Sequence, residues 1–114
     1  VEREKDMMRV GAENVAAVEI EGVVGGVAGV AEVAVVAGPD PMLDEVPVAF
    51  VVAASGAGED LVPQILARCR ERLADFKVPR EVFVVDELPR STLEKVAKNK
   101  LRDRARELLG GQGT

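Results

Sequence analysis

The sequence predicts a small α+β domain, an N-terminal β-hairpin and a three-stranded sheet packed against helices, on three observations. Two stretches carry apolar residues at helical spacing, around Ile20–Val27 and Val62–Leu73, and a third helix is expected over residues 95–109. Between them lie runs of Val and Ala that are apolar on both alternating faces, as strands covered on two sides would be. Gly, Pro and Asp clusters separate the runs. With 114 residues the chain has room for one domain and one modest core.

Each element follows in order. MMRV and ENV flank Gly11 and form the hairpin, residues 7–15. In AAVEIEGVVGGVAG the residues Ile20, Val23, Val24 and Val27 fall on one helical stripe. Glu19 and Glu21 lie in its first turns, where the helix dipole favours negative charge. Gly22, Gly25 and Gly26 weaken it by up to about 1 kcal/mol each relative to Ala, so it depends on packing. GVAEVAVVA, residues 29–37, is a strand; GPDPMLDE turns the chain; VPVAFVVAA is a second strand, with Pro47 near its start. Asp60 is the expected N-cap of a helix whose face is Val62, Ile65, Leu66, Cys69 and Leu73. Lys77, Val78 and Pro79 stop it. EVFVVDE is the third strand, LPRSTLE a loop and KVAKNKLRDRARELL the last helix. The domain thus occupies residues 1–109, and 110–114 form a flexible tail.

Composition excludes several function classes. The chain has no His, Trp or Tyr and one cysteine, Cys69, which removes the commonest general base and metal ligand, a disulfide and a thiolate cluster. No metal site is expected. Cys69 on an apolar helix face is expected to be a buried small hydrophobe. A net charge of −5 with three aromatics does not suit nucleic acid. Apolar runs around 33–37 and 46–54 are too short to cross a bilayer, and the charged start VEREKD is unlike a signal peptide, so a cytoplasmic domain is expected.

Against this acidic balance the C-terminal end is basic. Arg90, Lys95, Lys98, Lys100, Arg102, Arg104 and Arg106 crowd one window, either as a solvated helix face or because one lysine does chemistry. Local sequence does not choose between these.

Longer-range order does. EREKDMMRVGAENVAAVEIE, GVAEVAVVAGPDPMLDEVPVAFVV and CRERLADFKVPREVFVVDELPRSTLEK, in that order and spacing, resemble the C-terminal lid domain of acyl-CoA synthetases of the adenylate-forming (AMP-binding) superfamily. The resemblance runs from about Glu2 to Leu101, and LPR followed by Ser is similar to the acyl-CoA ligase branch. It implies an ATP-dependent carboxylic acid–CoA ligase. A carboxylate attacks ATP to give an acyl-adenylate and pyrophosphate; a domain rotation follows, and coenzyme A then takes the acyl group. ATP and coenzyme A are the implied co-substrates, and Mg2+ would accompany ATP, bound mainly outside this domain.

The resemblance also implies roles for particular residues. Lys95 falls at the catalytic lysine of adenylation, leaving Lys98 and Lys100 as helix-surface residues. Residues 1–6 match the hinge segment, with Arg3 at the position that approaches the nucleotide ribose and Lys5 at the hinge residue. Gly11, Ala12, Glu13 and Asn14 match the hairpin lining the coenzyme A tunnel, where small residues let backbone approach a narrow ligand. Arg70 aligns with a position that can meet a coenzyme A phosphate. Three positions depart from the pattern: Ala12, Glu94 and Asp44 each stand where Gly is usual.

The chain carries no Ser/Thr/Gly-rich phosphate loop, adenine shelf or acyl pocket. A large N-terminal domain is therefore the expected partner, and the isolated fragment is expected to fold yet catalyse neither half-reaction. The acid, whether fatty, aromatic or carnitine-like, is not written in these residues. A freestanding α+β binding domain, whose basic C-terminal helix grips an acidic partner, is the alternative that the residues admit.

Overall fold

The computed structural model describes residues 7–92 and 95–110. The hinge residues Arg3 and Lys5, Glu94, and the tail after residue 110 lie outside them. In chain order the elements are β1 (Met7–Val10), β2 (Glu13–Ala16), α1 (Ala17–Gly25), β3 (Val30–Asp40), β4 (Asp44–Ala53), α2 (Leu61–Arg72), a 3-10 turn (Asp75–Lys77), β5 (Glu81–Val85), β6 (Arg90–Thr92), β7 (Lys95–Val96) and α3 (Lys98–Gly110).

The α+β class is as expected, but the hairpin and the three strands merge into one sheet. β3 and β4 pair antiparallel along their length, β5 joins β4 in parallel after the α2 crossover, and β1 reaches the start of β4 at Val10↔Asp44. The result is a five-stranded sheet in the order β2-β1-β4-β3, with β5 also on β4.

That sheet divides the hydrophobic residues into two layers rather than the single core expected. On one face Ile20, Val24 and Val27 from the α1 region and Leu61, Ile65, Cys69 and Leu73 from the α2 region pack on Val35, Ala49 and Val51. On the other, Leu101 and Ala105 of α3 cover Ala34, Val36, Val48 and Phe50, with Leu88 beside them. Strands buried on both faces explain why β3 and β4 read as near-continuous Val/Ala runs. The α2 face begins at Leu61, and Val62 and Leu66 are only half-buried. Asp60 makes no side-chain cap; its carboxylate accepts from Gln64 Nε2 at 2.7 Å.

Small residues set two close approaches. Gly38 on β3 lies beneath α3, where a Cβ would fall 2.7 Å from Val48 Cγ2 and 2.9 Å from Leu109 Cδ1. Gly26, just past α1, leaves space for Arg68 of α2, whose Nε donates to Val23 O at 3.1 Å. Val23 O thus accepts from both the guanidinium and, at 3.2 Å, the Gly26 N–H that caps α1.

Asp44 has φ 76° and is the one described residue other than glycine in the left-handed region. The usual Gly at this position is explained by that backbone, since L side chains cost roughly 1–2 kcal/mol there, less for Asp. Asp44→Gly is expected to raise stability by about 0.5–1 kcal/mol and Asp44→Ala to lower it. Urea unfolding of the domain measures both; a loss with Gly would show that the Asp side chain outweighs the strain.

Candidate functional site

The residues singled out from sequence fall on two separate surfaces. The first is built on the β6–β7 hairpin. The expected loop, residues 88–94, and the expected start of the last helix supply this antiparallel pair, Arg90↔Val96 and Thr92↔Lys95, so Lys95 is a strand residue and α3 begins only at Lys98. The apolar Val96 and Ala97 continue a helical pattern in sequence, yet tertiary contacts claim them for the hairpin and its exit. Val96 packs against the α3-side layer, and Ala97 is buried with its N–H donating to Pro89 O at 2.8 Å. Arg90 Nη2 reaches Glu32 of β3 at 2.6 Å. Lys95 itself is exposed. Its ammonium is thus a compact positive charge held at a fixed backbone position on the outside of the domain.

Lys98 departs from the helix-surface expectation. Its side chain is only 18% exposed, and its Nζ lies 2.7 Å from Glu21 Oε2 on α1. Lys100 is exposed, as expected.

The second surface gathers around Gly11. This residue has φ 61° at the β1–β2 turn, and its N–H donates to Leu43 O at 2.9 Å. Ala12, Glu13 and Asn14 are all exposed, so the hairpin tip is open to a partner. Beside it, the β3–β4 turn is organised by Asp40, whose Oδ2 accepts from Leu43 N–H at 2.8 Å and Met42 N–H at 3.0 Å. Asp40 Oδ1 accepts from Arg80 at 2.9 Å. The Leu43 N–H foremost, then Met42 N–H and Arg80, hold its carboxyl below the usual aspartate range, with burial opposing them, so it is ionised at neutral pH. Sequence reading missed Asp40 and Arg80. An Asp two and three residues before unpaired turn N–H groups was the available signal for the first; Arg80 had none.

Glu32 and Asp40, which mark where the two surfaces meet β3, are eight residues apart on an extended strand, roughly 26 Å. Lys95 and the Gly11 hairpin are therefore not parts of one pocket. Arg70 stands exposed in the last turn of α2. Cys69 is buried, and that burial raises its thiol pKa, as suits an inert packing residue. Among the described residues no cluster of three or more His, Cys, Asp or Glu could hold a metal ion, and no helix is long and apolar enough to cross a membrane.

Comparison with known proteins bears on these two surfaces. The family model of the AMP-binding enzyme C-terminal domain matches residues 19–95, ending on Lys95. The 2-succinylbenzoate–CoA ligase of Listeria monocytogenes is 40% identical over 104 residues, 91% of this chain and 22% of that protein. Apo MatB from Rhodopseudomonas palustris matches with a TM-score of 0.86 at 40% identity, over 93% of this chain and 21% of that one. The anthranilate CoA ligase AuaEII, solved with anthranoyl-AMP, matches with a TM-score of 0.82 at 35% identity, over 90% and 20%. The chain thus spans about a fifth of the length of these relatives. Matched over two-thirds of its length by the family model, and over nine-tenths by ligases of the same fold, the chain belongs to the AMP-binding enzyme C-terminal domain family.

Proposed function

We propose that this chain is the mobile C-terminal domain of an ATP-dependent carboxylic acid–CoA ligase, working against its own large N-terminal domain. The observation that carries the reading is the exposed Lys95 on a fixed hairpin, at the end of the segment that matches the family. In the first half-reaction a carboxylate oxygen attacks the α-phosphorus of ATP, and the bond to pyrophosphate breaks. Nucleophile and phosphate are both anionic, so an ammonium placed between them stabilises the charge of the transition state without transferring a proton. In the second, the sulfur of coenzyme A attacks the acyl carbonyl and AMP leaves. For that step the Gly11–Asn14 hairpin, about 26 Å along β3 from the lysine surface, forms part of the tunnel wall after the domain rotates.

Arg3 and Lys5 serve the nucleotide and the hinge in this reading, and Arg70 meets a coenzyme A phosphate. The Mg2+ that travels with ATP has no ligand cluster among the described residues, and no step here is routed through it. The acid, fatty acids included, is selected by the large domain. The setting is cytoplasmic, where a single buried thiol is at no risk of pairing. The isolated chain supplies a lysine and a tunnel wall without a nucleotide pocket, so it releases no pyrophosphate from ATP by itself.

The test is the complete ligase carrying Ala12→Leu. Ala12 is exposed at the hairpin tip, so a larger side chain there leaves the domain's packing intact. It is expected to slow thioester formation by on the order of tenfold or more, as a misplaced or blocked nucleophile does, and to spare pyrophosphate exchange. An unchanged thioester rate would show that the hairpin does not line the tunnel.

A further inference from the structure

We propose that Glu21 and Lys98 are a positioning pair for Lys95, fastening the root of its hairpin to the free edge of the sheet. The proposal rests on the ligase reading of Lys95. Neither residue touches substrate; each acts through the lysine three residues before Lys98.

The pair sits where the two layers of the domain meet. α1 covers one face of the sheet and α3 the other, and Glu21 and Lys98 join them around β3. Glu21 Oε2 does two things there. It accepts from Val35 N–H at 2.8 Å and lies 2.7 Å from Lys98 Nζ. Val35 belongs to β3, which has no further strand on its outer side among the described residues, so the carboxylate stands in for a ladder acceptor. Both side chains are about four-fifths buried, with exposures of 20% for Glu21 and 18% for Lys98.

Local preferences do not explain Lys98. It is the first residue of α3, at the positive end of the helix dipole, and the first turn of α3 contains no acidic residue. A lysine there is unfavourable for the helix on its own. Such a local conflict calls for a compensating gain elsewhere, and the contact with Glu21 supplies one.

The consequence falls on Lys95. Val96 packs into the α3-side layer, Ala97 is buried and hydrogen-bonded to Pro89 O, and Lys98 is paired with Glu21. On the other strand, Arg90 is tied to Glu32, three residues before Val35 on β3. Lys95 is exposed in a run whose next three residues are held down, and the two ion pairs bracket it on one strand edge. A shift of the hairpin by about 1 Å at a reacting phosphate is enough to lower a rate by up to about a hundredfold. Fixing the root of the hairpin therefore acts on adenylation and not on the thioester step, which uses the other surface.

The experiment uses the complete ligase with Glu21→Gln, Lys98→Met and Lys98→Arg. Glu21→Gln keeps an acceptor for Val35 N–H and removes the charge; Lys98→Arg keeps the charge. Pyrophosphate exchange, thioester formation from supplied acyl-adenylate and thermal unfolding are measured for each. Glu21→Gln and Lys98→Met are expected to lower the kcat of exchange about tenfold, with the KM for ATP and the thioester rate within about twofold, and Lys98→Arg to recover most of the loss. An equal fall in both half-reactions, a failure to fold, or no change in exchange overturns the proposal. Lys95→Ala is run alongside. If it spares exchange, the role of Lys95 fails and the pair's role with it; if it abolishes exchange while the pair variants do not alter it, the positioning proposal alone fails.

Discussion

Replacing Lys95 by alanine in the complete ligase is expected to slow adenylate formation by on the order of 10²–10³-fold, the usual range for losing one charge-stabilising group, while thioester formation from supplied acyl-adenylate stays near its original rate. Lys95 is exposed and its strand has only two residues, so truncation removes no core contact. What disappears is one positive charge at a place fixed by the hairpin. On the proposed mechanism that charge acts while the carboxylate and the α-phosphate approach each other, and no longer once the bond is made and the domain has turned its other surface to the site. Pyrophosphate exchange and single-turnover thioester formation separate the two steps. Equal losses in both would assign Lys95 a role in folding or docking.

Phe50→Ala is expected to destabilise the domain by about 3–5 kcal/mol, a large part of the 5–15 kcal/mol that holds most domains folded. Phe50 is 1% exposed on the central strand β4. Its ring lies 5.5 Å from that of Phe83 on β5, its partner in the parallel ladder, and Leu101 of α3 belongs to the same cluster. With three Phe and no Trp or Tyr, the layer beneath α3 has few large groups to fill the gap. The cavity would also loosen the support of the β6–β7 hairpin, since Leu88 and Val96 share that layer. Chemical denaturation measures the loss, and Val84→Thr, on the exposed side of β5, serves as the control. A loss below about 1 kcal/mol would mean that the α3-side layer collapses around the missing ring.

Much of this fold can be read from local pattern because local pattern and tertiary packing agree. Of the stripe Ile20, Val23, Val24 and Val27, Val23 is half-buried against the same layer and the other three are buried, although α1 itself ends at Gly25, and Gly11 turns the hairpin with the positive φ that favours glycine. Agreement fails where contacts with another element decide the outcome. Val96 and Ala97 look like the first turn of a helix until Arg90 and Pro89 come alongside. The α2 face slips by one position because Leu61 and Val62 are both apolar, and only the sheet beneath selects Leu61. Lys98 resembles its solvated neighbours in every local respect, and nothing near it in sequence announces Glu21, 77 positions earlier. For the site, the family pattern pointed to Lys95 and the Gly11 hairpin as candidates, but it did not reveal Asp40 and Arg80. Their link depends on β5 lying parallel to β4, a pairing that the residue pattern does not encode.

The distance along β3 between the two surfaces has an evolutionary consequence. Sites separated by well over 7–10 Å, with no shared neighbours, respond to substitution independently. If the ligase reading holds, a lineage could therefore retune the activation step through the hairpin of Lys95 without disturbing the transfer step, or widen the tunnel at Ala12 without weakening activation. Their free-energy changes would add, and rate losses from one change at each end would multiply. On the ligase reading, the β3–β4 pair makes the lid two separately adjustable instruments on one handle, so the activation and transfer steps could be tuned one at a time.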